Sequence, residues 1–252
     1  MLHSIQADFY RLLRSKGFWI LEAFMLLNIL IGIIFGIPFH LGVSISSPEQ
    51  ALNFSENWNG IEAMSKVSQN GMILFPVVVL LFLLIGTDIS KKLYKNAIPY
   101  GISRTSFYFT KFATLFFLTI FQFIQTYGVS FICASILNGI GLIPKAFFVH
   151  FSLTILVQLI GVLAWLSLLS FVLYLTHSII AAVLSFIVFN SILSLPLIFF
   201  PDIELLKYLN LNFSFEMSTH NDAIIQTTIL AICTIIIFNY LNVIIFKKKD
   251  LG

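Results

Sequence analysis

Charge is what this sequence has least of. Only 10% of its 252 residues are Asp, Glu, Lys or Arg, against roughly 25% in soluble domains. Hydrophobic residues make up 59%, Phe occurs 28 times, and the mean hydropathy is +0.99. So few charges cannot cover that much apolar surface in water, which excludes an ordinary soluble domain. Cysteine is also scarce. Cys133 and Cys233 have no CxxC partner, so neither a disulfide framework nor a thiolate metal site is expected. The common catalytic motifs are missing too. There is no GxxxxGK[ST] loop to cradle phosphates, no HExxH pair to hold zinc and no GxSxG elbow to present a serine. The five histidines, His3, His40, His150, His177 and His220, are scattered singly. The sequence thus offers no catalytic, cofactor-binding or metal-binding residues, and an enzyme is not expected.

What is there is long apolar sequence between clusters of charge. No charged residue falls in 23–48, 67–87, 112–144, 146–201 or 223–246. A helix needs about 20 apolar residues to cross the hydrocarbon core of a bilayer. Four of these gaps hold one span each. The gap over 146–201 is 56 residues long and holds two, with a turn near Thr176-His177. Runs such as Ile73 to Ile85 are solidly apolar rather than alternating, which favours helices over barrel strands. The expected fold is an all-α integral membrane protein, a single domain over 1–252. Its six spans fall at about 17–39, 70–88, 112–137, 147–175, 178–200 and 223–246. The first run is too long for a signal-peptide core and lacks a small-residue cleavage site, so it reads as a retained span.

Lys/Arg asymmetry orients the spans. One side carries Arg11, Arg14, Lys16, Lys91, Lys92, Lys95, Arg104, Lys111, Lys247, Lys248 and Lys249, which is 11 of the 14 basic residues. The other side has Lys66, Lys145 and Lys207, with seven acids. Both termini are therefore expected in the cytoplasm, in a multi-pass protein of a plasma membrane. Residues 1–16 precede the first span. Ile5, Phe9, Leu12 and Leu13 fall on one side of a helical wheel, Arg11 and Arg14 on the other and Asp8 at the edge. That pattern describes an amphipathic helix in the membrane interface, or more simply a membrane anchor.

Of the outer loops, 40–69 contains Trp58, Ile61 and Met64 and suits a short interfacial helix. The greasy segment 201–221 suits a re-entrant or surface helix pair. Acids near or inside spans mark function in transporters. Glu22 lies about one turn into the first span, and Asp88 ends the second; both are near enough to Lys or Arg to pair. Other polar residues within spans are Asn28, Gln122, Gln125, Gln158, Asn190 and Asn239. Such amides more often knit helices together than bind substrate.

The segment 89–111, between the second and third spans, is the most informative. Leu93, Ala97 and Tyr100 recur at helical spacing among Lys91, Lys92 and Lys95. Pro99 and Gly101 then interrupt the helix, and Ser103 can cap a new one leading through Phe107 and Lys111 into the third span. The residues alone leave two readings: a short helix that transmits force from a cytoplasmic partner, or a basic loop that only fixes topology.

Lys95, Asn96, Tyr100, Gly101, Ser103, Arg104 and Lys111 resemble the matching segment of type-2 ABC exporter permeases. The opening Arg14-Ser15-Lys16-Gly17-Phe18-Trp19 after a basic amphipathic helix is similar to that family as well. So is the layout of the whole chain, with an interfacial helix, six spans, a coupling loop after the second and a greasy outer loop before the sixth. In size and style it resembles small permeases of Gram-positive bacteria that handle bacteriocins, lantibiotics or other amphipathic peptides.

The resemblance implies a short cytoplasmic coupling helix at about 91–102. Leu93, Tyr94, Asn96, Ile98, Tyr100 and Gly101 would dock on a separate ABC ATPase, and Lys95 and Arg104 would pair with its acids. Pro99 departs from the pattern by standing inside that helix. The resemblance also implies ATP and Mg on the partner ATPase rather than on this chain. The remaining implied partners are a second permease subunit, identical or related, membrane lipid and an amphipathic peptide substrate; no nucleic acid is implied. Two rival functions are a secondary transporter, which would show internal repeats and intramembrane charge, and a non-transporting membrane sensor or assembly protein.

Overall fold

The structure is a computed structural model, and we describe residues 2–36, 58–69, 71, 73–91, 93, 103–145, 147–199, 211 and 224–248, with backbone alone at 2, 69, 193–199 and 247–248. Among these residues every regular element is helical. α1 (Leu2–Leu13) precedes α2 (Lys16–Phe35), and α3 is the short helix Gly60–Gln69. α4 (Leu74–Leu81) runs into a π-helical turn, Phe82–Gly86, and then α5 (Thr87–Ser90). The remaining helices are α6 (Arg104–Asn138), α7 (Phe147–Thr176), α8 (Ile179–Phe199) and α9 (Ile224–Lys248).

Among the described residues, four helices are long and apolar enough to cross a membrane: Lys16–Phe35, Arg104–Asn138, Phe147–Thr176 and Ile224–Phe246. Where the sequence predicts the second span there is a shorter apolar stretch, Leu74–Ser90, and where it predicts the fifth α8 runs 21 residues over Ile179–Phe199, its side chains described as far as Ile192. The expected turn is present. α7 ends at Thr176, and His177 takes φ 53°, reversing the chain into α8.

α6 and α7 are the spine. α6 touches α1, α2, α3, α4, the π turn, α7 and α9, while α7 also holds α8 and α9. α7 is the most buried of the four long helices and α9 the most exposed. Phe18, Leu21, Glu22, Met25, Ile29 and Ile33 of α2 are buried, a spacing of three and four that lays one stripe on the bundle. Its other faces, including Ile20, Leu27 and Ile34, are exposed. Lipid tails are as apolar as these side chains, so close packing and buried hydrogen bonds must hold such helices together.

Local chemistry sets the helix ends. Ser15 caps α2 by accepting from Phe18 N at 3.1 Å. Ser103 caps α6 by accepting from Ser106 N at 3.1 Å, as its position predicted. Residues 104–111 therefore belong to the same helix as 112–137. A short helix is expected within 40–69, and α3 stands there. Its first turn is closed by reciprocal bonds: Glu62 N donates to Asn59 Oδ1 at 2.9 Å, and Asn59 N donates to Glu62 Oε2 at 3.2 Å. Asn138, the last residue of α6, donates to the Trp58 carbonyl at 3.0 Å and ties α3 to that end of the bundle. At the other end the π turn lies so close to α8 that a Cβ on Gly86 would stand 2.9 Å from Ile179 Cγ1. The segment 201–221 lies outside the described residues except for Leu211, which is buried.

Candidate functional site

α1 does not lie with its whole apolar stripe turned away from the bundle. Leu12 and Asp8 are buried, while Leu13 is exposed. The sequence reading puts Asp8 at the edge of the polar face; the fold instead turns it inward against α6. The reason is a matching cation. Lys111 Nζ lies 2.5 Å from Asp8 Oδ1 and 2.7 Å from Asp88 Oδ2. Arg11 pairs with the other Asp88 oxygen through Nη1, and its Nη2 lies 3.6 Å from Asp8 Oδ1. Two acids and two bases from α1, α5 and α6 thus form one compact, electrically balanced cluster. Asp8, Asp88 and Lys111 are 6%, 2% and 6% exposed. Buried charges require this kind of mutual pairing. Burial still raises the Asp8 carboxyl pKa above its ordinary value, with Lys111 acting in the opposite direction.

The cluster also grips the π turn. Arg11 Nη2 donates to the Leu84 carbonyl at 3.3 Å, and Thr87 Oγ1 donates to the Leu83 and Leu84 carbonyls at 2.7 and 3.2 Å. A π turn leaves carbonyls without their usual helical donors and often marks a functional site. Here a guanidinium and a hydroxyl supply donors. Beside the cluster is a cavity of about 210 Å³, walled by Ser4 and Ala7 of α1, by Leu93 and by Phe107 and Thr110 of α6. Lys111 also sits over the Phe107 ring, 5.1 Å from its centroid.

Of the residues proposed for docking an ATPase, Leu93 is therefore at the site, and its N–H donates to the Asp88 carbonyl at 2.9 Å. Arg104 opens α6, is half-buried and has an interaction of its own. Tyr94, Lys95, Asn96, Ile98, Tyr100 and Gly101 lie outside the described residues. Asp88 is in the cluster, paired with basic residues as its position suggested.

The other polar residues fall into three further groups. Gln122 donates to Glu22 Oε1 across the α2–α6 interface, with Gln125 beside the same carboxyl. Gln158 of α7 accepts from Tyr127 Oη at 2.6 Å and donates to the Ser68 carbonyl at 2.7 Å. Tyr108 donates to Asn239 Oδ1, and Asn242 donates to Tyr108 Oη at 3.2 Å. Asn239 also donates to Ser167 Oγ at 3.0 Å, completing a knot of α6, α7 and α9. Asn28 only bonds back to the Phe24 carbonyl of its own helix at 2.8 Å, and Asn190 is half-buried on α8.

Sequence reasoning left Asp8, Arg11, Tyr108, Tyr127 and Asn242 out of the candidate set and reached Lys111 only through resemblance. The available signal was an acid on the buried-edge side of an amphipathic helix, with an acid and a base flanking one loop. Among the described residues no three His, Cys, Asp or Glu side chains converge on a metal-sized space. The arrangement holds helices by charge rather than presenting a nucleophile or a metal ligand set. No family model matches the chain, and no curated protein or solved structure matches it.

Proposed function

We propose that the chain is the transmembrane permease subunit of an ATP-driven ABC exporter in a bacterial plasma membrane, with both termini cytoplasmic. It moves an amphipathic or hydrophobic substrate outward, and antimicrobial or toxic peptides, for export or self-immunity, are the class to test first. ATP and Mg belong to separate cytoplasmic ATPase subunits, and a second permease subunit completes the pathway. The observation that supports this reading most is the charge cluster. It joins the helices on either side of the 89–111 loop and docks α1 at the same point, so a push on that loop reaches three elements together.

The test is whether an adjacent gene encodes a P-loop ATPase and whether that ATPase co-purifies with this chain, followed by Gly101→Pro and Arg104→Glu. The expected outcome is a stable complex in which both changes reduce substrate-dependent ATP hydrolysis to that of the ATPase alone and abolish export. Unchanged coupling and export in a folded complex would refute the proposal.

One observation favours a second reading, a proton-driven secondary transporter: Glu22 is an acid buried in a membrane-length helix without a cation. That reading expects transport in vesicles driven by a proton gradient in the absence of ATP.

A further inference from the structure

Glu22 is 6% exposed and Gln122 is fully buried. Gln122 Nε2 donates to Glu22 Oε1. Two oxygens of the same pair, Glu22 Oε2 and Gln122 Oε1, are buried with no hydrogen-bond donor. Two buried acceptors on one pair without a donor are unfavourable in a low-dielectric interior, and an isolated carboxylate there is far more so.

No neighbouring cation resolves this. α2 packs on α1, α4 and α6. α2 itself opens with Lys16, which is exposed; α1 carries His3, Asp8, Tyr10 and Arg11, with Arg14 just after it; α4 carries no titratable side chain; and Asp88 follows it in α5. α6 carries Arg104, Tyr108, Lys111, Tyr127 and Cys133. Asp8, Arg11, Asp88 and Lys111 are engaged with one another. Lys111 precedes Gln122 on α6 by 11 residues, about 16 Å of helical rise. Burial and the Gln122 and Gln125 amides act on the Glu22 carboxyl, and no charged side chain does. Glu22, beside Gln122, is therefore separated from the charge cluster along the bundle by about 16 Å, about half a hydrocarbon thickness.

We propose that Glu22 and Gln122 form a proton-binding site at the α2–α6 interface. One proton on Glu22 Oε2 donates to Gln122 Oε1 while Gln122 Nε2 donates to Glu22 Oε1. The result is a cyclic acid–amide pair with two parallel hydrogen bonds and neither oxygen left over. No bond to carbon changes; the only ligand is a proton, which needs no cavity. The proton holds α2 against α6, and it can leave only when the two helices part enough to admit water or a cation. This inference stands under either functional reading, because it concerns the resting bundle.

The test is infrared spectroscopy of the full chain in lipid nanodiscs at neutral pH, comparing wild type with Glu22→Gln, Asp8→Asn and Asp88→Asn. The expected result is a carbonyl band of an un-ionised carboxylic acid that persists above the pH at which exposed glutamates ionise. Glu22→Gln should remove it, neither aspartate change should remove it, and Gln122→Ala should shift it. If Glu22→Gln removes only carboxylate intensity, the proposal is overturned. If that variant does not fold, wild type labelled with ¹³C-glutamate decides. One side-chain carboxyl that stays protonated at neutral pH supports the site, and full ionisation of every glutamate overturns it.

Discussion

Lys111 Nζ on α6 stands 2.7 Å from Asp88 Oδ2 at the end of α5. These two residues flank the 89–111 loop, so an ion pair closes the mouth of that loop. Asp8 takes the remaining side of the same ammonium at 2.5 Å, which makes Lys111 the buried cation shared by both acids, while Arg11, which also reaches both, is about a third exposed.

Removing that cation should be costly. Lys111→Met leaves two buried carboxyls facing each other, and breaking such a pair destabilises by about 3–5 kcal/mol. Arg11 is about a third exposed in its side chain, and water screens what it contributes, so Arg11→Gln should cost about 1 kcal/mol or less. Melting in detergent should rank wild type above Arg11→Gln, with Lys111→Met far below both. Equal losses would mean that the cluster is not organised around the lysine.

Asp8 should give the fold a pH dependence of definite sign. Its carboxyl pKa is raised in the folded chain, by burial first, with Lys111 opposing. A carboxyl whose pKa rises on folding favours the fold in its neutral form. That contribution is complete below the ordinary aspartate value and fades as pH climbs through the raised one. Relative to Asp8→Asn, whose amide does not titrate, wild type should lose melting temperature as pH rises from about 4 toward 7. Paired melting curves over that range check this, and a difference that grows in favour of wild type contradicts it.

The π turn should tolerate no added methyl. Gly86→Ala places a Cβ 2.9 Å from Ile179 Cγ1, and overpacking of this kind costs about 1–3 kcal/mol. Ile179→Ala should recover most of that loss in the double variant while costing stability alone. Strictly additive losses in thermal melting would locate the clash elsewhere.

Much of the helical layout was legible because it depends on local composition. The charge gaps located α2, α6, α7 and α9, the Thr176-His177 turn was read directly, and Ser103 was identified as a cap from its place before the apolar run. The second and fifth gaps read as spans of the same kind; α8 fills the fifth over 21 residues, but the second holds a helix interrupted by the π turn Phe82–Gly86. A π turn has no compositional signature in a run of Phe, Leu and Ile. The pairing of Asp8 with Lys111 was illegible for a different reason. It depends on how α1 docks, and no periodicity within α1 says that its acidic edge faces a lysine 103 positions later. The pairing of Glu22 with Gln122 was hidden in the same way, since it is set by the stagger between α2 and α6.

α6 is 35 residues long without a break, about 52 Å by helical rise, well beyond a hydrocarbon core of about 30 Å. Its first turns carry the lysine that gathers α1 and α5, and its last residue holds the Trp58 carbonyl ahead of α3. A continuous helix is stiff along its axis, so it behaves as a pushrod rather than as a wall. A tilt or slide imposed beside Ser103 arrives at Asn138 nearly undiminished, and the α3 cap moves with it without any hydrogen bond along the shaft having to break.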